Sequence, residues 1–398
     1  MANALGGVLL AGMAPIFMLA AIGFLLTVQI YAYQPIMVTS QFDTTNLVLR
    51  SHATIVSADA NGAFVAGYTN ATGLGRYWIG HFDQTGRVEW STRLGVEGDS
   101  VRSISAGGTG VYVVAVVNDS WVLAQFTNGN QVWTRPLDIA NGYVSSVNGN
   151  AYVVGNESMS VFNSMGSQLA SYSIKFNGIP MGASADSSGV YVLTSSVLGR
   201  LSLDGSGLWT APLVKCSAFG LTGAISSLAV TNGMEFVDNS GCLIAYDSSG
   251  RLIWNVPVTC TDQSSGQESW ISADSAGVYS ISGSYTGPTC LTRYDYSGHQ
   301  VSGFNLPQAW RVSSISARES AIYVAGAVES YVLPSVLLAR LGFSNDLILL
   351  GLHSPFSFLL IALVVGLVCL GVFRYRRRRR SQLKIGLVKE YRFDGPVD

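Results

Sequence analysis

The chain is 398 residues long, with 23 Lys+Arg against 24 Asp+Glu, four His, five Cys and 44 Gly. Only 12% of residues are charged, about half the ~25% of an ordinary soluble domain. That excludes a disordered chain, a basic nucleic-acid binder and a coiled coil, all of which need more charge, and five Cys are too few for a small disulfide scaffold.

No charged side chain occurs from Met1 to Phe42, and residues 5–30 are almost wholly apolar. A helix of that length rises roughly 39 Å and crosses a hydrocarbon core of ~30 Å with some tilt. A second apolar run, residues 347–373, is interrupted near its start by His353, Ser354 and Pro355. Arg374 and the run Arg376, Arg377, Arg378, Arg379 and Arg380 follow it at once. Such a cluster marks the cytoplasmic side, so the tail is expected inside the cell. With both spans retained, residues 35–345 lie outside. The alternative is a cleaved signal peptide, although the segment lacks a positive n-region and exceeds the usual apolar length. The middle of the chain is external on either reading.

The expected organisation is an N-terminal anchor or uncleaved signal over 1–34, an extracytoplasmic domain over 35–345, a transmembrane helix over 346–373 and a basic cytoplasmic tail over 374–398. The charges divide accordingly. Residues 35–345 hold 14 Lys+Arg and 20 Asp+Glu, whereas residues 371–398 hold nine and three. A near-neutral total thus hides an acidic exterior and a basic tail. That tail either only sets topology or also attracts anionic headgroups, at about 1 kcal/mol per basic residue.

A single pattern recurs between the spans: a turn rich in Asn, Asp, Ser and Gly, then a short β-run with an aromatic near its start. The aromatics are Phe64, Tyr112, Tyr152, Tyr191, Phe236, Tyr279 and Tyr323, at intervals of 48, 40, 39, 45, 43 and 44. A second pattern follows in most units, as in FDQTGRVEW, FTNGNQVW, YDSSGRLIW and YDYSGHQV. Each reads as strand, tight turn centred on Gly, strand. Four short strands at this period predict an all-β, seven-bladed β-propeller ectodomain flanked by two transmembrane α-helices. The seventh unit enters the second span without a fourth strand, while Thr45–Arg50 (TNLVLR) is a lone strand before the first unit. The expectation is that this N-terminal strand completes the last blade, removing two exposed edges.

The units resemble the bacterial and archaeal propeller repeats that run D-x-x-G-N-x-Y-V-x-G-x-T and then F-D-x-x-G-x-x-x-W. SADANGAFVAGYTN with FDQTGRVEW is the nearest copy. The repeats are also similar to PQQ-like and NHL-type propellers. Such families include enzymes, assembly factors and surface binding proteins, so the resemblance implies a fold and little about activity. Low Lys, rich Arg, Ser, Asn and Tyr, and a span ending in an Arg cluster look like an archaeal surface protein.

Cys369 falls inside the second span. Cys216 and Cys260 each follow an outer strand, and Cys242 and Cys290 each precede a turn-opening Tyr by four residues. In a propeller those connections share a face, which favours Cys216–Cys242 and Cys260–Cys290. Cys242–Cys260 and four reduced thiols are the other readings. Asn70, Asn118 and Asn156 head N-x-S/T triplets near predicted turns and are glycosylation candidates.

The four His (His52, His81, His299, His353) show no metal-ligand spacing. There is no HExxH, no GxSxG and no phosphate-cradling Gly loop. A quinoprotein site commonly carries a vicinal disulfide, and no two Cys here are adjacent. Trp90, Trp133, Trp209 and Trp254 recur at one position of the fourth strand and read as blade-packing residues. Aligning the inner strands places Ile55, Ser103, Ser145, Gly182, Leu228, Trp270 and Ser314 at one level. With Arg102, Tyr143, Trp310 and Arg311 nearby, Trp270 suggests an aromatic and cationic rim around the channel. The bland reading is that Trp270 plugs the channel and the Arg side chains pair with acids.

The expectation is a binding or scaffold module, without catalysis, cofactor or metal, in a cell-envelope or membrane assembly. Its expected partners are membrane lipids, other membrane or envelope proteins and surface glycans, and no nucleic acid. The alternatives are an external hydrolase or quinoprotein-like oxidoreductase, which needs a convergent acidic or metal site, and a receptor signalling through a tail-bound partner.

Overall fold

The computed structural model describes residues 36–38, 51–69, 76–95, 99–108, 110–176, 178–214, 227–239, 241–258, 267–284, 289–319, 321–328 and 335–342. Both expected spans, the Arg cluster, Cys369, Cys216, Cys260 and Asn70 lie outside these residues. Among the described residues, no helix is long and apolar enough to cross a membrane.

Among the described residues, 28 strands form seven four-stranded antiparallel sheets. Six are built from consecutive strands, spanning 51–93, 100–136, 143–173, 180–212, 227–257 and 267–305; the seventh takes three strands from 310–342. Each sheet is one blade, and its strands are named A to D from the channel outward. Inner strands touch in a closed circle, blade 7 against blade 1.

Burial follows position in the blade. Strand B packs against both neighbouring blades and reads as a continuous apolar run; all six residues of Gly189–Thr194 are buried. Strand D covers one side only, so Leu252–Pro257 alternates between exposed and half-buried residues.

Ring closure corrects one expectation. Blade 7 is completed by Ile36–Val38, not by Thr45–Arg50, which lies outside the described residues. Ile36 pairs opposite Gly342, Met37 opposite Leu341 and Val38 opposite Arg340. The principle of an N-terminal strand closing the last blade stands; three apolar residues cover the Arg340–Gly342 end of the edge of Ser335–Gly342.

The second repeat motif has a physical reason at each position. Its Asp or Asn caps the C–D turn: Asp247 Oδ1 accepts from the N–H of Ser249 and Arg251 (3.0 and 3.1 Å), and Asp295 Oδ1 from Ser297 and His299 (both 2.9 Å). Its Gly takes a positive φ, +80° at Gly250 and +83° at Gly298. Its Trp donates to the C–D turn of the next blade: Trp133 to Ser164 O, Trp209 to Ser248 O and Trp254 to Tyr296 O, at 2.9–3.0 Å. These indoles are the blade-packing residues expected from their spacing.

Inner strands lack a ladder partner on the channel side, and serines supply one. The residue opposite the strand-B aromatic is Ser57, Ser105, Ser145, Ser184, Ala229, Ser272 or Ser316 in turn from blade 1 to blade 7. Ser57 Oγ accepts from Ala106 N, Ser105 from Ser146 N, Ser145 from Ala185 N, Ser272 from Ala317 N and Ser316 from Ala58 N, all at 2.8–2.9 Å. Ser227 Oγ accepts from Ile271 N at 3.2 Å. Each blade thereby satisfies backbone donors of the next; at the blade 4–5 junction an acid takes the serine's place, Asp186 Oδ2 accepting from Gly233 N at 3.2 Å.

The antiparallel order gives the ring two unlike faces. A–B and C–D turns lie on one, which is also where the chain joins the ring at Ile36 and leaves it at Gly342. B–C turns and D-to-A connections lie on the other. These are the terminal and distal faces below.

Candidate functional site

The inner-strand level expected from sequence is shifted in two blades. Pairing with strand B aligns Ile55, Ser103, Tyr143, Gly182, Ser227, Trp270 and Ser314. Tyr143 and Ser227 thus take the places read for Ser145 and Leu228. The reason is hairpin register: Ser145 sits one step lower, supporting blade 4, and Leu228 packs into the blade 4–5 core.

Of the five rim candidates, the structure brings together Arg102 and Tyr143. Arg102 Nη2 donates to the Tyr143 hydroxyl, and the guanidinium carbon lies 4.9 Å from the ring centre. Burial raises the Tyr143 pKa against the opposing pull of Arg102. Trp310 is 6% exposed and belongs to the blade 6–7 core, against which Trp270 also packs. Arg311 is half-buried and pairs with Ala327.

The sequons cluster by face. Asn118 is exposed in the B–C turn of blade 2, with φ of +49°, and Asp119 follows at +60°. Asn156 is half-buried in the B–C turn of blade 3, and its Oδ1 is buried without a hydrogen bond. Asn70 directly follows strand B of blade 1, which ends at Thr69.

Two cavities were not legible in the sequence. One of about 270 Å³ opens at the terminal face of the channel among the A–B turns of blades 7, 1, 2 and 3, with Asp59, Arg318, Ser146 and Asn148 in its wall. The other, of about 210 Å³, lies between blades 1 and 2 and is mainly apolar, lined by Tyr77, Leu94, Val113, Ala124 and Phe126.

Beside the first, His81 is buried between two carboxylates, with Nδ1 2.7 Å from Glu89 Oε2 and Nε2 3.2 Å from Asp59 Oδ1. Burial alone lowers the His81 pKa, but the bonds to Asp59 and Glu89 outweigh it and raise it. The imidazole joins the A–B turn to strands C and D of blade 1.

Blade 5 departs from the other six. In its strand B, Met234–Asn239, Glu235 and Asp238 occupy positions held elsewhere by Ala63, Val111, Ala151, Val190, Val278 and Ile322, and by Ala66, Val114, Val154, Leu193, Ile281 and Ala325. Both carboxylates are 0% exposed. Glu235 faces blade 4, where Tyr191, Arg200 and Asp186 act on it; burial pushes its pKa up to about 8. Asp238 faces blade 6, and burial pushes it up to about 7. The sequence signal was available: NGMEFVDN breaks an apolar column that the other repeats keep. Among the described residues, no group of three or more His, Cys, Asp or Glu side chains is arranged to hold a metal ion.

Cys242 (2% exposed) and Cys290 (6%) begin equivalent C strands of blades 5 and 6, and both are disulfide-bonded.

This geometry defines a seven-bladed β-propeller. No family model matches the chain, and no curated protein matches it. Among solved structures it is similar to the WD40 domain of Pan2 from Neurospora crassa, with a TM-score of 0.53 and 12% identity over 74% of this chain and 90% of that one. It also matches a protein of unknown function from Bacteroides caccae, with a TM-score of 0.37 and 14% identity over 52% of this chain and 81% of that one. The likeness to the Pan2 domain concerns the fold alone, one that hosts many functions.

Proposed function

We propose that the chain is a binding and scaffold module displayed on the outer side of a membrane, where it serves as a subunit of a membrane or cell-envelope assembly. The carrying observation is that the chain joins and leaves the ring through directly paired residues, Ile36 and Gly342. Apolar segments flank that point in the sequence, 5–30 and 347–373, and would tether the ring to a membrane. The Arg374–Arg380 cluster fits a cytoplasmic end that also meets anionic lipid. Of the sequons, Asn118 is exposed in its B–C turn and so open to glycosylation.

The disulfide reading supports the same compartment. Leu213 and Val214, which lead to Cys216, pack against the cluster containing Cys242, and Val214 O accepts from Asn239 Nδ2 at 2.9 Å. Val258, which leads to Cys260, is the blade-5 counterpart of Leu213 and packs against blade 6, the blade of Cys290. Bonds Cys216–Cys242 and Cys260–Cys290 would tie blade 4 to 5 and blade 5 to 6.

The test is native electrophoresis of gently solubilised source membranes, with mass spectrometry of the band holding this chain. Stoichiometric companions are expected and would name the process. A lone monomer overturns the subunit reading. Protease treatment of right-side-out vesicles should cut the propeller and spare the tail; the reverse overturns the topology.

A further inference from the structure

Neither Asp238 oxygen accepts a hydrogen bond, although the side chain has no exposure to water. Blade 6 presents two more orphans across the junction. Ser269 Oγ and Ser280 Oγ, in residues 1% and 0% exposed, are also buried without partners. Strand alternation sets their direction: Ser269 and Ser280 lie two residues from Ile271 and Val278, which pack in one cluster with Phe236 of blade 5. Asp238 lies two residues from Phe236 and points back toward them. The Ser269 hydroxyl and the Gly241 N–H are near enough to favour the carboxylate's charge, yet neither closes a hydrogen bond. Tyr294 is the other titratable group acting across this space, and its hydroxyl is engaged by Thr292.

The two Asp238 oxygens and the Ser269 and Ser280 hydroxyls therefore all face the blade 5–6 junction, buried and without hydrogen bonds. A buried carboxylate is tolerated when it is paired, hydrogen-bonded or metal-bound, and each unsatisfied native group calls for an unseen partner. Hard cations bind oxygen at roughly 2.3–2.6 Å on both sides, so they bridge oxygens that stand too far apart to bond directly. Charge selects the kind of cation, because one carboxylate balances one positive charge while hydroxyls add none. Further oxygens are at hand in the same rows, Ser282 opposite Ser269 and Thr292 opposite Ser280.

We propose that a monovalent cation of the sodium type binds between blades 5 and 6, held by the Asp238 carboxylate with the Ser269 and Ser280 hydroxyls as neutral ligands. It explains why this blade keeps an acid in a column that is apolar in the other six, and it makes the junction salt-specific.

The experiment is the melting temperature of the full chain in detergent, in alkaline buffer, with sodium chloride against choline chloride at equal ionic strength. Sodium is expected to raise the melting temperature above the choline value, and Asp238→Asn to abolish the difference. Because Asp238→Asn alters stability in its own right, the readout is the sodium-minus-choline difference within each variant. The double variant Ser269→Ala/Ser280→Ala keeps the carboxylate and is expected to shrink that difference. Equal melting temperatures in the two salts mean that water fills the space and overturn the proposal. So does a difference that survives Asp238→Asn or is untouched by the double variant. Stabilisation by calcium alone overturns the monovalent assignment.

Discussion

The indole of Trp254 lies directly against Gly298 of the next blade: a methyl group there would fall 2.8 Å from Trp254 Cδ2. The same contact recurs between Trp133 and Gly166 at 2.5 Å and between Trp209 and Gly250 at 2.7 Å. The Trp of one repeat and the Gly of the next are therefore a single interlocking feature, which is why they recur together along the chain.

Gly298→Ala should accordingly destabilise the fold twice over. Its φ of +83° disfavours a side chain by about 1–2 kcal/mol, and overlap with the indole adds about 1–3 kcal/mol. Gly149 is the control, with φ of +78° and nothing within 4 Å of an added methyl. Chemical denaturation should show Gly298→Ala losing clearly more than Gly149→Ala. Equal losses would mean that the indole contact contributes nothing.

The serine belt makes a second contrast. Ser145→Ala leaves the half-buried Ala185 N–H without its acceptor, and an orphaned donor costs about 1–3 kcal/mol where it is shielded from water. Ser184 holds the matching position in blade 4 but makes no such bond among the described residues. Ser184→Ala should stay within about 0.5 kcal/mol. Amide exchange at Ala185 should accelerate only in the first variant.

The repeat period, the blade count and the outer-strand Trp packing were legible because every unit repeats the same Asp, Gly and Trp chemistry. Ile36–Val38 was not, because three apolar residues beside a long apolar run carry no alternation, and TNLVLR offers a more strand-like string. Spacing puts Ser145 and Leu228 where Tyr143 and Ser227 stand, because inner-strand level is set by hairpin register, invisible to motif spacing. Glu235 and Asp238 stand in plain sight, but nothing in the sequence marks them out until their column is known to be buried. His81 needed Asp59 and Glu89 to converge from different parts of the blade. The cavities depend on spacing between blades, which no single repeat encodes.

Glu235 should make stability fall as pH rises. Its folded pKa, about 8, lies above the ordinary 4.5, so the fold prefers the protonated acid. Between those values the unfolded chain releases this proton first, and the fold loses stability until the folded group ionises as well. Glu235→Gln should flatten that segment of the stability–pH curve and raise stability above pH 8, on the order of 1–2 kcal/mol. The measurement is urea denaturation across this range. A wild-type curve no steeper than that of Glu235→Gln would show that Arg200 already neutralises the carboxylate.

The disulfides carry the last prediction. Cys242 and Cys290 are both bonded, and they begin C strands of adjacent blades, so the third pairing, Cys242–Cys290, would have to bridge two separate sheets at mid-blade. Pairing Cys242 with Cys260 inside blade 5 would leave Cys290 only Cys216, which follows blade 4, two blades away. Peptide mapping without reduction should therefore recover Cys216–Cys242 and Cys260–Cys290. Closing loops of this size contributes about 3 kcal/mol each by the chain-entropy account. Because the two loops meet at blade 5, the blade with a buried acid on each side, reduction should loosen blade 5 before the rest. Hydrogen exchange after reduction should show Met234–Asn239 losing protection ahead of Gly110–Val117 in blade 2. Uniform loss around the ring would mean that the bridges only decorate the distal surface and do not hold blade 5 in place.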